Sequence, residues 1–343
     1  MTATHSRTRR TLFTVAKLAL AAAILAYLIA QAHDGFSRLS EQTIAWPLLA
    51  AGMLCTFAAS TCSFVRWHLL IRAVGIDARL VDSLRLGALG LALNFVSPGS
   101  IGGDFFKAIF LAHGQPGRRT EAVATVVADR MMGLLTMLLI ASVGILLSDL
   151  ANASSPALRI LCRAIFTATS VSWIAFALLL VVPGLSGLRM SRWAEAIPLV
   201  GRTIARLLGA VQAFRSQKRI LLAAFGLSVL VALFFISSYY LVARGLPIEE
   251  PSWTEHLMIV PVAGLVGAIP ITPSGLGTLE LAVEELYKAM PGGDGVERGD
   301  GTLVALARRV TELAVALVGL VFYLTHRREV DDVYAEAEEA AEI

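Results

Sequence analysis

Charge is scarce in this 343-residue chain. Only 16% of its residues are Asp, Glu, Lys or Arg, against about 25% in soluble proteins. With 56% hydrophobic residues and a mean hydropathy of +0.71, it lacks the charge to coat a water-facing surface. A soluble globular domain is excluded. Cysteine is also scarce. Cys55, Cys62 and Cys162 all lie in apolar runs and read as small packing residues, not as a disulfide framework or metal site. The six histidines form no cluster. Metal-ligand spacings, a P-loop and a dinucleotide fingerprint are all missing. So are a nucleophile–base arrangement and a cofactor motif. The chain is therefore expected to be no enzyme, to bind no metal or cofactor, and, at a net charge of +3, to have no nucleic-acid partner.

Long apolar runs are abundant. A stretch of about 20 apolar residues spans a bilayer. Full spans are expected near 12–32, 46–66, 121–147, 158–182, 219–243 and 302–325. Arg7, Arg9 and Arg10 precede the first, and Ala30-Gln31-Ala32 resembles a cleavage site. A signal peptide is the alternative there, but the run is longer than most signal cores, which favours a retained helix. The 183–218 loop mixes arginines with Trp193, Ile197, Leu207 and Phe214. It reads as a basic cytoplasmic loop or a helix lying on the membrane surface. Residues 329–343 form an acidic, solvated cytoplasmic tail.

Two further apolar segments are interrupted. The first, near 84–112, is broken by Ser97-Pro98-Gly99-Ser100-Ile101-Gly102-Gly103-Asp104. The second, near 254–288, is broken by Thr272-Pro273-Ser274-Gly275-Leu276-Gly277-Thr278-Leu279-Glu280. Proline removes a backbone donor and glycine exposes backbone. A bilayer tolerates such backbone only inside protein or beside a wet cavity. Matched breaks in two halves point to a transport site.

Basic loops flank the first broken segment on both sides, with Arg66, Arg72, Arg79 and Arg85 before it and Arg118 and Arg119 after it. Basic loops mark the cytoplasmic side, so this segment reads as a re-entrant hairpin entering from the cytoplasm. A mixed, net acidic loop follows the second, which reads as a hairpin entering from outside. The expected fold is an all-α polytopic membrane protein. About six full transmembrane helices and two re-entrant helical hairpins form an inverted-topology repeat, about eight hydrophobic segments in all. Residues 1–328 form one integral membrane domain, with half one about 12–147 and half two about 158–326. Both termini are expected in the cytoplasm, and the protein in the cytoplasmic membrane.

Charges at bilayer depth face a cavity or a partner. Asp104 and Lys107 share a helical face on the return arm of the first hairpin. If Gly102-Gly103 opens that helix, its free amides make an anion site, with Asp104 as a cap or a cavity-facing acid. Arg130 suits phosphate, or forms a structural ion pair with Asp104 or Glu280. Its neighbour Asp129 points elsewhere. Glu280 and Glu284 share a face and either bind a cation or proton or pair with Arg308, Arg309 and Glu312. Asn94 is placed to meet freed backbone. Pro98, Pro273, Gly275 and Gly277 mark the hairpin tips. Trp46, Trp67, Trp173 and Trp253 read mainly as an interfacial belt.

The string Asn94 to Lys107 resembles a known family, as do Asp129-Arg130 and Pro273 to Glu280 followed by Arg308. It looks like the transmembrane region of lysylphosphatidylglycerol synthase, a flippase-like family also found as stand-alone membrane proteins. The likeness covers roughly residues 10–328. In the two-part synthase this region is associated with moving the modified lipid between leaflets, and a separate cytosolic domain attaches the amino acid. No room for that domain is expected here, so lysyl transfer is not implied. Asp129 also stands where Glu is the expected residue. Stand-alone relatives are linked to polyprenyl-phosphate glycans, hopanoids or other envelope lipids, so the substrate does not follow.

The resemblance and the charged residues together lead to a flippase-like protein binding or translocating an anionic lipid, either a phospholipid or a polyprenyl phosphate, for envelope assembly. Arg130, Lys107, Arg308, Arg309, Gly102 and Gly103 are the expected head-group contacts. Asp104, Asp129, Glu280, Glu284 and Glu312 are the expected proton or ion-pair groups. Partners are membrane lipids, with an envelope glycosyltransferase or lipid-modifying enzyme as a further candidate. The alternatives are a secondary transporter of a small solute and a non-transporting partner of such an enzyme.

Overall fold

The computed structural model describes residues 43–96, 102–113, 118–152, 155–182, 214–269, 272, 275–291 and 295–325, with Ala26 and Ala30 helical. The rest of the expected first span, loop residues 183–213, the tip residues Pro98 and Pro273, and the acidic tail lie outside the described residues.

Among the described residues there are nine α-helices and no strand. They are α1 (Trp46–Ala73), α2 (Leu80–Val96), α3 (Gly102–His113), α4 (Arg119–Leu147), α5 (Pro156–Val181), α6 (Lys218–Gly245), α7 (Trp253–Ala268), α8 (Thr278–Ala289) and α9 (Asp300–Thr325). Four helices are long and apolar enough to cross a membrane, covering Trp46–Ala73, Thr120–Leu147, Pro156–Val181 and Lys218–Gly245. The chain is a multi-pass membrane protein.

Local chemistry sets the helix boundaries. Ser155 caps α5 by accepting from Leu158 N–H, and Pro156 fills its first position. Ser252 and Glu255 form a reciprocal capping box at the start of α7. Gly75, at φ 75°, ends α1. Bonds from Gly75 N to Arg72 O and from Ile76 N to Ile71 O close that end as a Schellman motif.

Length separates spans from hairpin arms. At 1.5 Å per residue, the 28 residues of α1 or α6 reach about 42 Å, more than the roughly 30 Å hydrocarbon core. The hairpin arms α2, α3, α7 and α8 have 17, 12, 16 and 12 residues, so none exceeds about 26 Å. Within each pair the arms pack on one another, α2 on α3 and α7 on α8. Each arm alone is shorter than the roughly 30 Å hydrocarbon core.

The most extensive helix–helix contact joins α1 to α6. Gly52 lies against Val242, Thr56 meets Ser238, and Arg66 meets Ser228. Rising numbers on one helix meet falling numbers on the other, so the two run antiparallel. Equivalent helices of two repeats can pack antiparallel only about a two-fold axis perpendicular to both. The remaining contacts obey the same exchange. The first arm of each hairpin packs on the closing helix of the other half, α2 on α9 and α7 on α4. Gly319 of α9 abuts Ala88 of α2, and Gly144 of α4 abuts Leu257 of α7. This is the inverted repeat.

Apolar length alone ends the second span at residue 66 and puts Arg66 in a cytoplasmic loop. The helix instead continues to Ala73, and Arg66 is buried within it. An arginine satisfied by an acid on another helix does not end a span. Trp67 likewise leaves the expected interfacial belt. It is buried and donates its indole N–H to Thr125 at 3.3 Å.

Candidate functional site

Each half sets an acid on the return arm of its hairpin against an arginine on the helix that follows. In half one the return arm is α3, whose first turn carries Asp104. Arg130 of α4 donates to the Asp104 carboxylate through Nε and Nη2. Lys107, one turn along α3, brings its ammonium to 3.6 Å from the same carboxylate and sits 5.4 Å from the Trp67 ring centre. Asn94, near the end of α2, accepts the Gly103 N–H at 3.0 Å and so ties the two arms together.

In half two the return arm is α8. Gly277 precedes it at φ 83°, a left-handed conformation that glycine adopts without strain. Its N–H donates to Glu280 Oε2 at 2.7 Å, and Arg309 of α9 donates through Nε to Oε1 at 2.7 Å. Asp104–Arg130 and Glu280–Arg309 are thus the same pair, repeated.

The two copies differ in exposure. The Arg130 side chain is 57% exposed, while Arg309 is 11% exposed. Glu280 is fully buried. The charge balance differs as well. Half one joins Arg66, Lys107 and Arg130 to Asp104 and Asp129, one cation in excess, because Arg66 reaches Asp129 at 2.8 Å. Half two joins Arg308 and Arg309 to Glu280 and Glu312, which balance. An excess cation in a low-dielectric surrounding attracts an anion.

The Lysylphosphatidylglycerol synthase TM region profile matches residues 14–319. The chain belongs to this family. Comparison with curated proteins gives no match. Family membership agrees with a membrane domain associated with lipid or envelope processes.

Within this family fold, Glu280 and Glu284 do not form one two-carboxylate site. Glu280 turns to Arg309. Glu284 accepts from Gly299 N at 2.8 Å, Thr302 N at 2.9 Å and the Thr302 hydroxyl at 3.2 Å, with Lys288 Nζ at 3.0 Å. It closes the N-terminus of α9. Glu285 faces outward and takes the other side of Lys288. Gly102 opens α3, and Gly275 lies in the turn before α8 at φ 66°.

Several polar groups of the interior escape a reading of the sequence. Arg66 Nη1 donates to Ser228 at 2.9 Å. Thr56, Ser238 and Thr311 bring their hydroxyls together, Thr56 lying 2.8 Å from Ser238 and 3.1 Å from Thr311. His256 Nε2 lies 2.7 Å from the Tyr287 hydroxyl. Single hydroxyls in long apolar runs carry little signal, because Ser and Thr also bond to their own helix backbone. Thr56 does so to Gly52 O at 3.1 Å.

Proposed function

We propose that this protein is a flippase-like lipid transporter of the cytoplasmic membrane. It binds an anionic lipid head group between its two halves and passes it between leaflets without altering a covalent bond. The acyl or prenyl tail stays in the bilayer, and both termini are cytoplasmic. One observation carries this reading: the repeated acid–arginine pair, whose half-one copy leaves Arg130 57% exposed in a cluster with one excess cation. A guanidinium donates two parallel hydrogen bonds to phosphate and keeps its charge at any physiological pH. In half one the anion meets Arg130 and Lys107, with Asp104 as the resident counter-ion. The inverted repeat supplies the means of alternating access, since two halves of opposite orientation can exchange conformations about a fixed site.

Reconstitution into vesicles with labelled phosphatidylglycerol and a labelled polyprenyl phosphate tests this. Leaflet exchange above protein-free vesicles is expected for at least one of them, and Arg130→Gln should slow it about tenfold or more. If neither lipid exchanges faster than in empty vesicles, the proposal is wrong.

A further inference from the structure

Arg308 differs from every other arginine of the two clusters. Its side chain is 2% exposed, yet its carboxylate contact is the weakest of the four. Arg66, Arg130 and Arg309 each hold an acid at 2.8 Å or less. Among the described residues, Arg308 Nη2 reaches only Glu312, one turn along its own helix, at 3.5 Å. Its Nε is buried and has no acceptor among the described residues. The ring centres of Phe235 and Tyr239 lie 4.4 and 5.4 Å from the guanidinium carbon. Those rings attract the cation, but they accept no in-plane hydrogen bond from Nε.

The pseudo-symmetry explains what is different. Arg66 on α1 and Ser238 on α6 occupy equivalent places, because the Arg66–Ser228 and Thr56–Ser238 contacts exchange under the two-fold. In the same way Asp129 on α4 corresponds to Arg308 on α9. Half one therefore sets Arg66 against Asp129, a cation on one helix facing an acid on the next. Half two sets Ser238 where the facing charge would be, so among the described residues no acid on another helix pairs with Arg308, and the Phe235 and Tyr239 rings of α6 face it instead. Its Nη1 donates to Thr311 at 3.2 Å, and Thr311 leads to Thr56 and Ser238. A buried guanidinium with its edge unmet, hydroxyls beside it and a distant counter-ion is built to take an oxyanion. Glu312 is 28% exposed, so its carboxylate has room to swing away.

We infer that Arg308 is a second anion subsite, in half two. It takes a phosphate-type oxyanion in exchange for the Glu312 carboxylate, with Thr311 as an additional hydrogen-bonding group. This rests on the lipid-anion reading above and assigns the half-two contact to Arg308, since Arg309 is already neutralised by Glu280.

The two residues give opposite signs in one binding experiment. Calorimetric titration of the full-length protein in detergent would use dihexanoylphosphatidylglycerol, inorganic phosphate and, as an uncharged control, dihexanoylglycerol. Glu312→Gln removes the competing carboxylate and should tighten the phospholipid by about fivefold, whereas Arg308→Lys should weaken it about tenfold. Tightening for both phosphate probes supports a site for phosphate itself, and tightening for the phospholipid alone supports a lipid phosphate. If Glu312 is only a structural counter-ion, Glu312→Gln lowers the melting temperature and leaves both affinities unchanged or weaker. That result overturns the inference, and it does not need Arg308→Lys to fold. Leaflet exchange separates the two readings. Exchange by the wild type without tightening in Glu312→Gln removes this subsite alone. Tightening without wild-type exchange keeps the subsite and removes the transporter.

Discussion

Glu280 and Glu284 lie one turn apart on α8, and tertiary contacts give them different work. Glu284 holds two backbone N–H groups and a hydroxyl at the start of α9. Truncating it leaves buried donors unmet, at about 1–3 kcal/mol each. Glu284→Ala is expected to destabilise the protein by about 2–4 kcal/mol, read as a lowered unfolding temperature in detergent. Arg66 and Asp129 make a sharper case. Arg66→Leu leaves a largely buried carboxylate (13% exposed) without its arginine and should cost about 2–4 kcal/mol, while the Arg66→Leu/Asp129→Leu double variant should recover most of the loss. A double variant as unstable as the single would show that the pair does more than neutralise itself. The sequence marks Asp104, Arg130, Glu280 and Arg309 because charge at bilayer depth is expensive wherever it occurs. It does not mark Arg66, since an arginine at the end of an apolar run reads the same as a loop residue until its acid is seen.

Helices in this protein meet through glycine. A Cβ at Gly144 would lie 2.7 Å from Leu257 Cβ, and one at Gly319 would run into the Ala88 carbonyl and come within 3.0 Å of Leu89 N. The two contacts join equivalent helix pairs, α4 on α7 and α9 on α2, at positions about one turn apart. Gly144→Leu and Gly319→Leu should therefore behave alike, each costing about 1–3 kcal/mol or more from overpacking and each lowering the yield of monodisperse protein. A Cβ at Gly226 of α6 would meet nothing within 4 Å, so Gly226→Ala should be neutral or stabilising by up to about 1 kcal/mol. Equal damage at all three positions would argue against the two matched contacts. Hairpins are legible at this scale because proline and glycine must interrupt a helix. Which helix each arm packs against is not, because apolar faces match one another equally well in sequence.

The whole molecule is two halves of opposite direction joined along α1 and α6. If the hairpins enter from opposite faces, Thr120→Cys should react with an impermeant maleimide only from the cytoplasmic side, and Gly295→Cys only from outside. Cys55, Cys62 and Cys162 are replaced first. Labelling of both from one side would overturn the opposed entry. By itself the sequence determined the all-α membrane class, the two interrupted segments and the repeated order of proline, glycine, acid and arginine. Each follows from a cost that acts locally: apolar length against bilayer thickness, broken backbone against hydrocarbon, charge against low dielectric. Only the tertiary structure decided which acid each arginine holds, and it left Arg130 open while sealing Arg309. Ion pairing is set by distance across helices, and distance is fixed by how the two halves close on each other, which no single segment encodes.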